Sequence, residues 1–226
     1  MPGFLSKLRA WFRKLFPPPG PGFARLYCSA SKHTLAGRHQ EARDLLLECN
    51  QHYPGDLDVL RALASAYSQL DDWDHVESIA TEMAAHGFEE WSLRFRILTA
   101  GCTGRAQDEL ALASELTSIA PEEPWTWIIL GDCYLGTDLD RAIEYYSHSL
   151  AIDPTHEFGW ERFIRHSIRR DATQGARVLV RARSSLTHSQ FDSVIRRCSN
   201  VMSEAELDRL KSMIPPESDD SESPEM

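Results

Sequence analysis

Residues 124–156 read PWTWIILGDCYLGTDLDRAIEYYSHSLAIDPTH, and this stretch decides the fold of the chain. Apolar or small residues recur there at helical spacing in two successive blocks. The first block contains Trp127, Leu130, Gly131 and Tyr134, and the second contains Ala142, Ile143, Tyr146 and Leu150. Pro154 ends the second block, because proline lacks the amide hydrogen and disfavours a helical residue before it. The pattern predicts two short amphipathic helices, neither of which buries its apolar stripe alone.

A related pattern recurs along the body of the chain with a period near 34 residues, which indicates a helical repeat. Successive units close at Pro54, Phe88, Pro121 and Pro154, at intervals of 34, 33 and 33 residues. A fifth and more degenerate unit follows, without a closing proline. The sequence therefore predicts an all-α helical-repeat solenoid over residues 23–186, with about five helix pairs.

The sequence after the repeats predicts two capping helices followed by a disordered tail. Residues 187–214 read as two further helices, since Thr187 and Ser203 each precede a Gln or Glu by three residues, the spacing of a capping box. We expect these helices to cap the solenoid, because its last repeat otherwise exposes a stacking face. The remaining stretch, 215–226, is acidic and poor in apolar residues, so we expect it to be disordered.

The N-terminal stretch, residues 1–16, has the pattern of a basic amphipathic helix. Its apolar stripe consists of Phe4, Leu5, Leu8, Trp11, Phe12, Leu15 and Phe16. Its basic side consists of Lys7, Arg9, Arg13 and Lys14. Residues 17–22, PPPGPG, form a linker of proline and glycine between this helix and the repeats.

Three interpretations of the N-terminal helix stay open. In the first, it is a membrane-surface anchor, with an anionic membrane as the binding partner. In the second, it is a docking helix, for a partner protein or for the chain's own groove. In the third, it is an organellar targeting sequence, which the absence of acidic residues before Glu41 fits.

Composition limits the compartment and the class of partner. The chain has 226 residues, a formal net charge of −10, and 42% hydrophobic and 26% charged residues, as in a globular protein. The net negative charge disfavours nucleic-acid binding. Five widely spaced cysteines favour reduced thiols, and no run of 18 apolar residues occurs. We expect a cytoplasmic protein, with peripheral attachment to a membrane as the addition that residues 1–16 suggest.

No constellation of residues predicts catalysis. The nine histidines are not at ligand spacing, and the chain has no phosphate-binding glycine-rich loop and no nucleophile elbow. We therefore expect no catalytic residue, no metal site, no cofactor and no enzymatic activity.

Residues 124–156 resemble a tetratricopeptide repeat. Trp127, Leu130, Gly131, Tyr134, Ala142, Tyr146 and Pro154 match the family pattern, although the turn is one residue short. The resemblance extends over residues 23–186, and it implies antiparallel helix pairs in a right-handed superhelix. It further implies that the first helices of the pairs line a concave groove, which binds peptides or helices of other proteins.

Some members of this family bind the acidic tails of heat-shock chaperones through a clamp of Lys and Asn residues. The corresponding positions here are Tyr27 and Ser31, then Ala62, then either Trp91 and Phe95 or, in a register shifted by one residue, Ser92 and Arg96. Because none of these residues is Lys or Asn, the resemblance argues against chaperone tails as partners.

The repeat register predicts which residues face the groove. These are Tyr27, Arg61, Ser65, Phe95, Trp125, Ile128, Ile129, Asp132, Arg162 and Arg165. Aromatic residues and arginine dominate binding hot spots, so we expect a partner peptide or helix that is apolar with acidic flanks. The alternative is that Trp125 and the isoleucines are buried against the chain's own termini or caps.

The arginines after Trp160 have two interpretations as well. In the first, they contact phosphate or acidic lipid; in the second, they form a solvated face that is paired with acids elsewhere in the chain.

Taken together, the patterns favour a non-catalytic adaptor or assembly factor at a membrane surface. The alternative is a soluble structural subunit of a larger complex, with residues 1–16 docked into a partner protein.

Overall fold

The computed structural model of the chain describes residues 21–213, which fold into twelve α-helices. The first six are α1 (Pro21–Leu35), α2 (His39–His52), α3 (Leu57–Ser68), α4 (Trp73–Ala85), α5 (Glu89–Cys102) and α6 (Ala106–Ile119). The other six are α7 (Pro124–Tyr134), α8 (Leu139–Ile152), α9 (Glu157–Arg170), α10 (Ala172–Ser185), α11 (His188–Val201) and α12 (Glu204–Met213). Residues 21–213 contain no strand, and the prediction of an all-α helical-repeat fold is confirmed.

Two of the predicted segments lie outside the described residues. They are the amphipathic helix at 1–16 and the acidic tail at 215–226. Between positions 21 and 213, no helix is both long and apolar enough to cross a bilayer.

Short polar side chains set where many of the helices begin. The carboxylates of Asp56, Asp72, Asp138 and Asp171 each accept a hydrogen bond from the backbone amide three residues later. Such N-caps satisfy amide groups that have no partner within the helix. Thr187 forms a complete capping box with Gln190 at the start of α11. These caps hold the turns between helices short, so that successive helices pack against each other.

Two of the closing prolines, Pro121 and Pro154, contribute a backbone acceptor to the repeat that follows. The Trp127 indole Nε1 donates to the carbonyl oxygen of Pro121, and the Trp160 indole Nε1 donates to the carbonyl oxygen of Pro154, both at 2.8 Å. The two bonds are therefore equivalent, 33 residues apart. Each bond joins the first helix of a pair to the turn that precedes it.

The chain divides into two compact units at Leu112 and Ala113. In the described part of unit 1, helices α1 to α5 pack each against the next. Its core includes Leu46, Cys49, Val59, Leu60, Leu63, Ala64, Val76, Ile79 and Met83. The apolar stripes that the repeat pattern predicts meet in this core.

Unit 2 is built around α9, which contacts α7, α8, α10, α11 and α12. Its core includes Tyr146, Leu150, Trp160, Ile164, Ile168, Leu179, Phe191, Val194 and Leu210. Trp160 is the largest fully buried side chain of the described residues. Helices α11 and α12 add Phe191, Val194, Cys198 and Leu210 to this core, so they bury apolar surface of α9 and α10.

Gly131 permits the close contact between α7 and α8. A Cβ atom at this position would lie 2.6 Å from Tyr146 Cε1 and 3.2 Å from the backbone oxygen of Ala142. Real Cβ atoms essentially never lie as close as 2.6 Å to another atom, and the backbone oxygen at 3.2 Å is unable to move without its helix. The glycine of the repeat signature is therefore a packing requirement at this crossing.

We expect the Gly131→Ala variant to be less stable by about 1–3 kcal/mol, because the added methyl overpacks the contact between α7 and α8. Urea unfolding followed by circular dichroism measures this change. Gly136→Ala is the matched control, since a Cβ at Gly136 meets no atom within 4 Å. Its effect should stay within about 0.5 kcal/mol. Equal stability of the two variants would contradict the packing role of Gly131.

Candidate functional site

Unit 1 contains a shallow pocket between α1, α3 and α5, with a volume of about 250 Å³. It is lined by Tyr27, Asp58, Arg61, Ala62, Trp91 and Phe95. All of these residues belong to the first helix of a pair, where the repeat register places a groove. The register predicts three of them as groove residues, namely Tyr27, Arg61 and Phe95. Ser65, which it also predicts, is exposed but does not line this pocket.

Trp91 is the centre of this pocket's polar contacts. The Arg61 guanidinium carbon lies 3.7 Å from the centroid of the Trp91 ring, and that of Arg94 lies 4.9 Å from it. Arg61 also forms an ion pair with Asp58, at 3.4 Å. A guanidinium over an indole is an attractive cation–π contact. The pocket therefore presents a half-buried aromatic ring beside a positive charge.

Tyr27 stays protonated throughout the neutral range. Burial, and next the negative charge of Asp58, raises the pKa of its phenol. The hydroxyl group therefore offers both a hydrogen-bond donor and an acceptor to a bound group.

A cluster of exposed aromatic rings lies on unit 2. The Trp125 ring is 4.9 Å from that of His156 and 5.0 Å from that of Phe158, between centroids. The Arg197 guanidinium carbon lies 4.5 Å from the Phe158 centroid. Trp125 is 36% exposed and Phe158 is 42% exposed. We call Trp125, His156, Phe158 and Arg197 the aromatic patch.

Asp132 belongs to an ionic network that joins α7, α8 and α9. Its Oδ1 atom accepts a hydrogen bond from the Tyr146 hydroxyl at 2.6 Å, and Arg162 Nε lies 3.2 Å from it. Arg162 and Arg165 also contact the Glu161 carboxylate, at 3.5 and 3.4 Å. Glu161 is only 7% exposed. The two arginines predicted to receive a partner's acids are thus already paired within the chain.

Ile128 differs from its expected place in the groove. It is only 2% exposed and belongs to the core of unit 2, whereas its neighbour Ile129 is half-buried. The reason is the composition of α7, which carries apolar residues on all sides. Periodicity in such a helix does not distinguish a core face from a groove face.

Several arginines after Trp160 pair with acids on other helices. Arg170 makes two contacts with the Asp140 carboxylate, at 2.6 and 3.0 Å, and Arg169 lies 3.9 Å from Glu206. These contacts agree with the second interpretation of the arginines, a solvated face that is paired with acids elsewhere in the chain. Most of the same side chains are exposed, so each contact stabilises the fold little.

Residues 21–213 contain no group of three or more His, Cys, Asp or Glu side chains able to hold a metal ion. Cys198 is buried, and burial raises the pKa of its thiol to about 12. Its sulfur is therefore protonated and unreactive at neutral pH.

Comparison with known proteins identifies the fold. No protein-family model matches the chain, and no curated protein matches it. PilF of Pseudomonas aeruginosa has a TM-score of 0.58 and 12% identity, over 85% of this chain and 98% of that one. TTC0263, a TPR protein of Thermus thermophilus, has a TM-score of 0.57 and 14% identity, over 79% and 97%. MamA from residue 41 onward, of Desulfovibrio magneticus RS-1, has a TM-score of 0.51 and 16% identity, over 81% and 99%.

The chain has the tetratricopeptide-repeat (TPR) fold. This finding agrees with the resemblance of residues 124–156 and extends it along the chain. Identities this low show the fold alone and carry no information on the chemistry of a partner.

The pocket also decides between the two registers of the third repeat. Trp91 and Phe95 line it together with Tyr27 and Ala62, whereas Ser92 is only 3% exposed. Of the two registers, the one with Trp91 and Phe95 supplies the residues that line this pocket. No Lys or Asn lines this pocket, so it lacks the residues of a chaperone-tail clamp.

The groove prediction omits several residues of these surfaces, including Trp91 and Phe158. Trp91 entered only as an alternative clamp position, although it lies one helical turn before Phe95. Phe158 was not predicted at all, although it precedes Trp160 by two residues, just as Trp125 precedes Trp127. The repeat period therefore contained the signal for Phe158.

His166 lies buried beside the ionic network and is 3% exposed. Arg165 Nη2 lies 3.2 Å from His166 Nε2, and the His166 ring stacks on Tyr146 at 5.7 Å between centroids. A guanidinium only donates hydrogen bonds, so Nε2 must accept and the ring must be neutral. Burial, and then the charges of Arg165, Arg162 and Arg169, lowers the pKa of His166 to about 4.

The low pKa of His166 predicts a loss of stability on acidification. Between pH 6.5 and about 4 the unfolded chain binds a proton at this residue and the folded chain does not. The free energy of unfolding should therefore fall as the pH falls through this range, by an extra 2–3 kcal/mol or so. Urea unfolding at a series of pH values measures it. The His166→Gln variant should lack this component, and an unchanged pH dependence in that variant would contradict the assignment.

Proposed function

We propose that this protein is a non-catalytic adaptor or assembly factor whose TPR groove holds a segment of a partner protein. The observation that supports this most directly is Trp91 beneath the Arg61 guanidinium, in a pocket that Tyr27 and Phe95 also line. Aromatic rings and arginine are the side chains that contribute most to binding energy at protein interfaces.

The pocket favours a partner segment with one apolar side chain and an acidic residue next to it. Its volume of about 250 Å³ suits a single large side chain. Arg61 pairs with Asp58 at 3.4 Å, and this pair is open to solvent, with 40% of the arginine and 67% of the aspartate side chain exposed. A carboxylate of the partner therefore has access to the same guanidinium.

The proposal places the protein at a membrane surface through residues 1–16. Its support is the sequence pattern of that segment, with Trp11, Phe12 and Phe16 on the apolar stripe and Arg13 and Lys14 on the basic side. Each basic residue near an anionic leaflet adds about 1 kcal/mol to binding. An adaptor attached in this way presents its groove next to the membrane.

The aromatic patch of unit 2 supports a second candidate function, that of a structural subunit in a larger complex. Trp125 and Phe158 lie in contact and are both exposed. Neighbouring exposed aromatic rings are typical of surfaces that another protein covers. In this alternative, residues 1–16 dock into a partner protein instead of a membrane.

A test of the groove compares Trp91→Ala and Arg61→Lys with the unchanged protein in quantitative affinity purification from the native cell. Arg61→Lys keeps the charge but loses the planar stack on the indole. We expect recovery of the bound partner to fall about tenfold or more with Trp91→Ala, the loss typical of a hot spot. Leu98→Ala is the control, because Leu98 lies on the same helix, is 43% exposed and does not line the pocket. Two results would show that the groove is not the binding site. In one, Leu98→Ala loses as much partner as Trp91→Ala does; in the other, no variant loses any partner.

A test of the membrane proposal measures sedimentation of the full chain with vesicles that contain anionic lipid. Trp11→Asp should reduce binding by about tenfold or more, because it removes apolar area from the interface and adds a negative charge. Ser6→Asp is the matched control, since it adds the same charge off the apolar stripe. Binding that is equally weak or equally strong in both variants would contradict a membrane-facing stripe.

A further inference from the structure

A second cavity lies at the start of unit 1, between the first half of α1 and the second half of α2, with a volume of about 670 Å³. It is lined by Gly22, Arg25, Leu26, Ser29, Leu45, Glu48, His52 and Tyr53. No residue of α3, α4 or α5 lines it. It is therefore separate from the pocket around Trp91, and we call it the α1–α2 face.

The floor of the α1–α2 face is apolar. Leu26 and Leu45 are half-buried and pack against the core of unit 1 from one side. Tyr53 packs edge-on against Phe23, at 5.0 Å between ring centroids. The small residues Gly22 and Ser29 supply little bulk to the wall from α1. The result is an apolar groove with room for large side chains.

The wall from α2 carries one acid, Glu48, and a second glutamate, Glu41, lies further along the same helix face. Glu41, Leu45, Glu48 and His52 follow one another at intervals of four, three and four residues, so they share one face of the helix. Both glutamates are exposed, and neither forms a salt bridge within the part of the chain that the structure describes. The wall from α1 carries Arg25. An occupant that is apolar on one side and carries a basic residue toward Glu48 fits this groove.

We propose that residues 3–16 of the same chain bind on the α1–α2 face. Their apolar stripe, which includes Leu8, Trp11 and Phe12, matches the floor formed by Leu26 and Leu45. Their basic side complements Glu48 in the lining and Glu41 beyond it on α2, and the segment has no acidic residue. The proposal goes beyond the proposed function, because it gives this segment a binding site on the protein as well as on the membrane.

The short connection between residues 3–16 and α1 favours binding of this segment to the α1–α2 face of its own chain. Pro21 begins α1, and Gly22 is already part of the cavity lining. The chain between Phe16 and Pro21 spans at most about 18 Å, even when fully extended. A segment tethered this closely has an effective concentration in the millimolar range or above. Even a weak contact with the α1–α2 face is therefore favoured over binding to a second copy of the chain.

Binding at this face would bury both the apolar stripe of residues 3–16 and the apolar floor of the α1–α2 face. The first repeat of an array has no preceding repeat to cover it, and residues 3–16 would supply that cover. Because the same stripe would insert into a membrane, binding to vesicles and binding to the α1–α2 face would exclude each other.

The test is photo-crosslinking of the full chain that carries Trp11→p-benzoylphenylalanine, at low protein concentration and without vesicles. The replacement keeps an apolar aromatic group on the stripe. After irradiation, peptide mass spectrometry of the monomer should find crosslinks to residues 22–29 and 45–53. Addition of anionic vesicles should then decrease these crosslinks.

Matched variants distinguish the α1–α2 face from other surfaces. Leu45→Asp should abolish the crosslinks, whereas Leu47→Asp, on the same helix but outside the cavity, should retain them. Since Leu45 also touches the core, Glu48→Lys provides an independent variant at an exposed position. It should lose most of the crosslinks, while Glu144→Lys, an equal charge change on unit 2, should keep them.

Three outcomes would overturn the proposal. They are a crosslinked dimer in place of the monomer, crosslinks only to other parts of the chain, and crosslinks that appear only with vesicles. None of these outcomes decides whether the chain binds membranes, because vesicle sedimentation measures that separately.

Discussion

The contact between Gly131 and the Tyr146 ring fixes the helix pair on which unit 2 depends. The ring occupies the space that a side chain at position 131 would need. The same tyrosine then uses its hydroxyl group to bond Asp132, which in turn pairs with Arg162 on α9. One residue therefore joins close packing between α7 and α8 to a polar link with the next repeat. The buried hydroxyl has its partner, so burying it does not incur the free-energy cost of an unpaired polar group.

The two units bring different chemistry to their surfaces. In unit 1, Arg61 stacks on Trp91 and pairs with Asp58, but 40% of its side chain is exposed, so the cation remains accessible. In unit 2, Arg162 and Arg165 are engaged with Asp132 and Glu161 inside the chain. The charge of these arginines stabilises the fold and is less available to a partner. What unit 2 offers is its exposed aromatic rings.

The sequence was sufficient for the helices because their spacing is a local property. Caps such as Asp138 and the proline after α8 act within a few residues, and the repeat period places each pair. The groove residues were harder, because exposure depends on which neighbours a helix acquires. The prediction that Ile128 faces the groove was wrong for this reason, since α7 is apolar on all sides and Ile128 lies in the core. Trp91 gains its importance from Arg61, on a different helix 30 residues earlier, and no spacing rule predicts that stacking.

The indole bonds of Trp127 and Trp160 have a consequence for how such a chain grows. Each bond links the end of one pair to the start of the next through a proline carbonyl, at 2.8 Å in both places. The two partners occur together twice, 33 residues apart. A gene duplication that copies the segment from Pro121 to Asp153 would therefore carry a complete junction with it. Each added copy would meet its neighbour through the same bond, which makes this part of the chain a module that lengthens without a new interface.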